Sequence, residues 1–184
     1  MEIQSEKSPV SHELNVRTLP AKGVTVEMEA DPEQRSDLAR MHGLLSVERY
    51  RAELVVRPWK KDGVQVSGRV EADITQACTV TLDPLPARID TEVVAILVPE
   101  GSRLARIEAD SGEIFVEPDG DDLPEVFEGD SVDVGALAEE FFELAIDPYP
   151  RKAGSQIGGP AEDEDAQEGG GPLYEAMKKL KGNG

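Results

Sequence analysis

Cysteine, histidine and aromatic residues are all scarce in this chain of 184 residues. It holds one cysteine, two histidines, one tryptophan, three tyrosines and four phenylalanines. A single cysteine excludes an intrachain disulfide framework and fits a reducing compartment. With aromatics at 4%, any core must be aliphatic, and an apolar content of 39% is enough to build one, which argues against full disorder. No apolar run approaches the roughly 20 residues a membrane span needs. The start, Met1-Glu2-Ile3-Gln4, lacks the basic-then-apolar layout of a secretion signal. A soluble cytoplasmic protein with no membrane partner is expected. Basic residues are scarce as well, 19 against 38 acids, for a formal charge of −19. A field of that sign repels phosphate backbones and makes the whole chain a poor general nucleic-acid binder.

The negative charge is concentrated. Residues 1–99 hold 16 acids and 12 bases, whereas residues 100–150 hold 16 acids and 2 bases. Within the second stretch, an acidic loop at about 117–130 opens with Glu-Pro-Asp-Gly-Asp-Asp-Leu-Pro-Glu, which has too few apolar residues to fold alone. It reads either as a solvated loop or, through Asp119, Asp121 and Asp122, as a contact surface for a basic partner. Pro124 stands where an EF-hand calcium loop needs glycine. Residues 1–151 are expected to form one domain, 152–171 a disordered acidic and glycine-rich linker, and 172–181 a short amphipathic helix.

The apolar pattern predicts an α+β fold built on a mostly antiparallel sheet, with a flexible C-terminal tail. Val24, Val26, Met28 and Ala30 alternate with polar residues as in a half-buried strand. Asp31-Pro32-Glu33-Gln34 then supplies an N-cap, a proline at the first helical position and a capping-box glutamine, so a short helix is expected near 32–41. Strands follow over Val47–Arg57 and, after an Asp62-Gly63 turn, over Val64–Ile74, where period two persists for eleven residues. Thr79–Leu82 is expected to extend the sheet, Ile89–Val98 to form another strand, and Ile114–Val116 a short one. A longer amphipathic helix is expected near 134–146, capped by Asp133. Its apolar face would be Val134, Leu137, Phe141, Leu144 and Ala145, with Glu139, Glu140 and Glu143 on the other side.

Catalytic patterns are missing. His12-Glu13-Leu14 starts like a zinc-protease helix motif, but Val16 stands where the second histidine belongs. The chain lacks a Gly-x-Ser-x-Gly elbow, a phosphate-binding loop and a dinucleotide fingerprint. One cysteine and two distant histidines are too few for a zinc site, and Cys78 reads as a small buried residue. No enzyme activity, catalytic residue, metal or cofactor is expected. Two basic spots stand out. Trp59-Lys60-Lys61 puts the only tryptophan at a turn, either to stack on a base or a partner's side chain or to cover the edge of the core. Tyr149, Arg151 and Lys152 leave the second helix between stiffening prolines, which suits docking as well as a helix stop. Near the C-terminus, Leu173, Met177 and Leu180 recur at helical spacing in a segment too short to be stable alone, able to fold on a partner or back on its own domain.

Three features taken together resemble the YceD family, most closely its alphaproteobacterial members. They are the strand running through Cys78 into Thr81-Leu82-Asp83-Pro84, the Asp133-Val134-Gly135 helix start, and the exit Leu144-Ala145-Ile146-Asp147-Pro148-Tyr149-Pro150-Arg151-Lys152. The terminal Pro172-Leu173 segment is similar to the family's C-terminal segment. The resemblance implies a bacterial protein needed for normal accumulation of large-subunit (23S) ribosomal RNA, without enzymatic activity. The expected role is that of a non-enzymatic factor in 23S processing and large-subunit assembly, acting through protein contacts. Many members carry Cys-x-x-Cys where this chain has Cys78-Thr79-Val80-Thr81. A metal site at that place in other members therefore has no counterpart here. The expected partner is a basic ribosomal or RNA-processing protein. The alternative is a direct RNA-binding module using the basic spots around Trp59 and Arg151, with ribosomal RNA as partner.

Overall fold

The computed structural model of the protein describes residues 7–102 and 124–154. The described residues up to Lys152 belong to one compact unit with an α+β fold. Its centre is a five-stranded sheet in the order β2-β3-β4-β5-β6, formed by Val24–Glu29, Ser46–Trp59, Gly63–Ala77, Pro84–Pro99 and Glu125–Phe127. All neighbours are antiparallel except β6, which runs parallel to the end of β5. Helix α1 spans Pro32–Met41 and α2 spans Val134–Leu144. A separate pair, β1 (Glu13–Asn15) with β7 (Ser131–Asp133), closes the N-terminal segment onto the start of α2.

Period two builds the sheet's inner face. Tyr50, Ala52, Leu54 and Val56 of β3 are completely shielded, as are Val66 and Val70 of β4 and Val93 of β5. Each buried aliphatic side chain of this size contributes about 1.5–3 kcal/mol relative to exposure. Both helices lay apolar surface on these strands, α1 mainly on β3 and α2 on β4 and β5. The opposite sheet face is polar and cross-linked by ion pairs. Glu71 holds both Arg49 at 2.8 Å and Arg88 at 3.1 Å, and Arg69 meets Asp90 at 3.0 Å.

The local signals around α1 are all realised. Asp31 accepts from the backbone of Glu33 and Gln34, the Gln34 side chain returns a bond to the Asp31 N–H, and Pro32 fills the first turn. Trp59 and Gly63 close the β3–β4 hairpin as the Asp62-Gly63 turn implies.

Other expectations are corrected. Thr79–Leu82 does not extend the sheet; it is the turn joining β4 to β5. The Leu82 N–H closes on the Cys78 carbonyl at 2.9 Å, and Leu82 takes a left-handed φ of 60° with its side chain in solvent. β5 already starts at Pro84, five residues before the apolar run at Ile89. Helix α2 ends at Leu144, and that leucine is 76% exposed. Its place on the buried face is taken by Phe142, and Glu139 is buried rather than solvated. The buried arc is broader than a single stripe because α2 packs on the sheet and is flanked by the N-terminal segment and the end of α1. Gly135 shows how close that flank is: a Cβ there would run into the Val10 carbonyl and the His12 N–H. Ile114–Val116 lies outside the described residues. So do Asp119, Asp121, Asp122, the linker beyond Gly154, and Leu173, Met177 and Leu180.

Candidate functional site

The β4–β5 turn and the exit from α2 come from opposite halves of the chain and meet at one end of the sheet. At the end of β4, buried Gln76 donates from Nε2 to the Asp147 carbonyl at 2.8 Å. Thr79 donates its N–H and its hydroxyl to the Pro150 carbonyl, at 2.9 and 3.2 Å. The Lys152 N–H points at Cys78 Sγ from 3.5 Å, and its ammonium pairs with Asp83 at 3.0 Å. Pro148 and Pro150 have no N–H of their own, so this extended exit is held chiefly through its carbonyls. The Asp147 carboxylate turns the chain by accepting from the Tyr149 N–H at 2.9 Å. Tyr149 and Arg151 are left pointing to solvent, Tyr149 with 73% of its surface exposed.

Electrostatics at this junction follow from the contacts. The Thr81 hydroxyl, together with the N–H groups of Lys152, Thr81 and Val80, lowers the Cys78 thiol to about 6. Cys78 is shielded from solvent yet lies outside the main hydrophobic cluster, so its cover is the turn itself and the crossing exit. The Lys152 ammonium, with Thr81, holds the Asp83 carboxyl below its usual range, and Asp83 in turn raises Lys152.

The other basic spot is remote from this junction. Trp59, Lys60 and Lys61 sit at the far end of β4, and a strand of that length separates the two ends by about 45 Å. Lys60 adopts a left-handed φ of 52°, and its amine lies 4.0 Å from the Trp59 ring centroid. The indole is half-buried and folds over Gly63, so one ring face is occupied by the neighbouring lysine. Beside this tip a groove of about 430 Å³ is lined by Val16, Arg17, Leu19, Pro58, Lys61 and Phe127, among others. The structure thus brings Tyr149, Arg151 and Lys152 together with the Cys78 turn, and it keeps Trp59, Lys60 and Lys61 apart from them.

A buried polar cluster escaped the sequence reading. His42, just past the end of α1, lies 2.9 Å from Glu139 of α2, and both side chains are more than 90% shielded. The His42 ring stands nearly perpendicular to Phe142 at 5.5 Å, and Tyr50 packs on the same phenylalanine in the same manner at 5.4 Å. Burial pushes the Glu139 carboxyl up, but hydrogen bonds from His42 and Ser8 and the charge of His42 outweigh it and hold it below the usual range. Burial together with the Glu139 charge raises the Tyr50 hydroxyl well above its ordinary value. The available clue was a histidine directly after a well-capped helix, 97 residues from its partner. His12 lies in extended chain before β1, not on a helix. Its N–H and the Ser11 hydroxyl bind the Asp133 carboxylate that also caps α2. Among the described residues, no three His, Cys, Asp or Glu side chains stand together as a metal-binding group.

The model of the YceD family, described as large ribosomal RNA subunit accumulation protein, matches residues 66–181. That span contains both halves of the Cys78 junction. The chain belongs to the YceD family. Membership ties it to accumulation of large-subunit ribosomal RNA, and so to ribosome biogenesis. No curated protein and no solved structure matches the chain. The junction unites two of the segments on which the YceD resemblance rests, Cys78–Pro84 and Leu144–Lys152. The Thr81 hydroxyl lies against Cys78 and accepts from the Asp83 N–H at 3.4 Å, so it binds the turn together from within. Among the described residues, no helix of this YceD chain is long and apolar enough to cross a membrane.

Proposed function

We propose that the protein is a non-enzymatic cytoplasmic factor that supports 23S ribosomal RNA processing and large-subunit assembly by holding basic proteins. The observation that carries this reading is the construction of the Cys78 junction within the family span. Two distant segments are bonded together, and the outcome is an exposed Tyr149 and Arg151 on a rigid, proline-stiffened path rather than a pocket. Such a path suits protein docking, with tyrosine and arginine as the side chains that most often anchor interfaces. Ribosomal proteins are strongly basic, and the acid surplus of residues 100–150 would speed and orient their encounter more than it adds affinity.

Direct RNA binding fits the geometry less well. Its two basic spots stand at opposite ends of β4, the Trp59 face is covered by Lys60, and Lys152 is paired with Asp83. Affinity purification of the full chain in low salt tests the proposal. Large-subunit ribosomal or RNA-processing proteins should be recovered, and fewer of them with Tyr149→Ala and Arg151→Glu combined. Recovery of none, or binding of purified rRNA fragments at low salt that is lost with Lys60→Glu and Lys61→Glu, would overturn it.

A further inference from the structure

Residues 8–16 lie across the N-terminal ends of both helices, and they are fastened differently from the sheet. At α1, the capping-box Gln34 donates from Nε2 to the Pro9 carbonyl at 3.0 Å. At α2, the Asp133 carboxylate accepts from the His12 N–H at 2.8 Å and from the Ser11 hydroxyl. The same carboxylate caps the helix through the N–H groups of Gly135 and Ala136, at 3.1 and 2.9 Å. Val134 adds an N–H bond to the His12 carbonyl at 3.0 Å, and Val16 one to the Asp130 carbonyl at 2.9 Å. Between these two bonds the ladder of β1 with β7 is three residues long. Val10 is buried in the core, and Gly135 makes room for the backbone beside it, since a Cβ there would collide with the Val10 carbonyl. Lys7 and Ser8 share one groove with His42 and Glu139, and the Ser8 side chain bonds the Glu139 carboxylate.

The sheet is held on another scale. β3 and β4 each have a partner strand on both edges, and their inward side chains fill the core. Opening either one breaks long ladders and bares many aliphatic side chains. Lifting residues 8–16 breaks a short ladder and a few side-chain bonds, and it bares one core side chain, Val10. The free energy of local opening follows that difference. Asp133 makes the opening concerted. It holds Ser11 and His12 on one side and the first turn of α2 on the other. Once Ser11 and His12 leave it, the adjoining bonds of Val134 and β1 have nothing to fix their register. We propose that residues 8–16 are a strap that opens and closes as one unit over a sheet that stays folded, with Asp133 as its buckle. An open strap withdraws Ser8 from Glu139 and uncovers Gly135, so the His42–Glu139 pair has its full cover only when the strap is closed. The strap sits at the end of α2 opposite Tyr149 and Arg151, and it does not depend on the docking function proposed for them.

Native-state amide exchange of the full chain, followed by NMR at several low urea concentrations, tests the strap. After correction for sequence, His12, Val16 and Val134 should share one exchange rate, at least about a hundredfold faster than that of Leu54 and Val66. Their rate should also depend less steeply on urea, because little surface is exposed when the strap lifts. Ser11→Ala should speed the three strap amides by about tenfold. Gly135→Ala puts a methyl group against the Val10 carbonyl while improving the helix propensity of α2, and should speed them by more than Ser11→Ala does. Val70→Ala, which opens space on the inner face of β4, should speed Leu54 and Val66 by about tenfold or more and leave the strap amides unchanged. Equal rates and equal urea slopes for the two sets in the parent chain would mean that residues 8–16 leave only when the whole fold unfolds, and would overturn the strap. So would a Val70→Ala effect as large on His12 and Val134 as on the sheet. Exchange at His12 and Val134 that Gly135→Ala leaves unmoved would overturn it as well. If Gly135→Ala does not fold, the parent chain, Ser11→Ala and Val70→Ala decide the matter by the same rates and slopes.

Discussion

The two ends of β4 are held in different ways. At the Trp59 tip the contacts are between neighbours: Lys60 lies on the adjacent ring, and Gly63 lies under it. At the Cys78 end, and along the α2 segment leading to it, partners are 69 to 97 residues apart in sequence. The tip can form as soon as the hairpin does. The junction forms only when the two halves of the domain have come together, so its geometry reports the state of the whole fold. Tyr149 and Arg151 are held in this geometry only in the finished protein.

The contrast can be broken most severely through the His42–Glu139 pair. His42→Ala should cost about 3 kcal/mol in urea unfolding, because it strands a buried carboxylate and opens space beside Phe142. Amide exchange should then rise along α2 and the exit while the Trp59 tip is unaffected. Acid should act on the same region. The folded pKa of Glu139 lies below its unfolded value of about 4.3, so its contribution is fully present above that value and is lost as pH falls through the folded pKa. Asp133 works in the same direction: burial raises it, but bonds from Ser11, Ala136, His12 and Gly135 prevail. Stability measured from pH 7 to pH 3 should decline below about pH 4.5, and less steeply in Glu139→Gln.

A smaller effect is expected from Gln76→Leu, which removes the bond to the Asp147 carbonyl. It should cost about 1–2 kcal/mol and speed alkylation of Cys78 by iodoacetamide as the exit loosens. An unchanged alkylation rate would mean that the exit does not shield the thiol. Lys60→Ala should be the mildest change, about 0.5 kcal/mol, visible mainly as a shift in the fluorescence of the only tryptophan. If it altered Cys78 alkylation as well, the two ends would not be independent.

The same distinction separates what was legible in the sequence from what was not. The α1 cap and the Asp62-Gly63 hairpin depend on residues within a few positions of one another, and both could be read directly. The three-residue strands β1, β6 and β7 have almost no local pattern and exist because a distant strand receives them. A single apolar stripe puts Glu139 on the solvent side, and only the arrival of His42 from the end of α1 makes its burial tolerable. The Thr79–Leu82 run reads as a strand because its β-branched residues favour one, and the left-handed Leu82 that makes it a turn leaves no periodic trace. Of the site, residue types at 149–152 were legible; the Cys78 turn that anchors them was seen as a separate motif.

The pairing of β1 with β7 sets a clock on the chain during its synthesis. Glu13 faces Asp133, so among the described strands the earliest to be made waits for the latest. Until Asp133 appears, α2 has no cap, the Ser11–His12 segment has no anchor, and the inner faces of β4 and β5 lack their helical cover. A nascent chain halted before that residue would carry a long, bare aliphatic sheet surface, which makes the interval between β5 and α2 the period of greatest exposure to proteases and to aggregation.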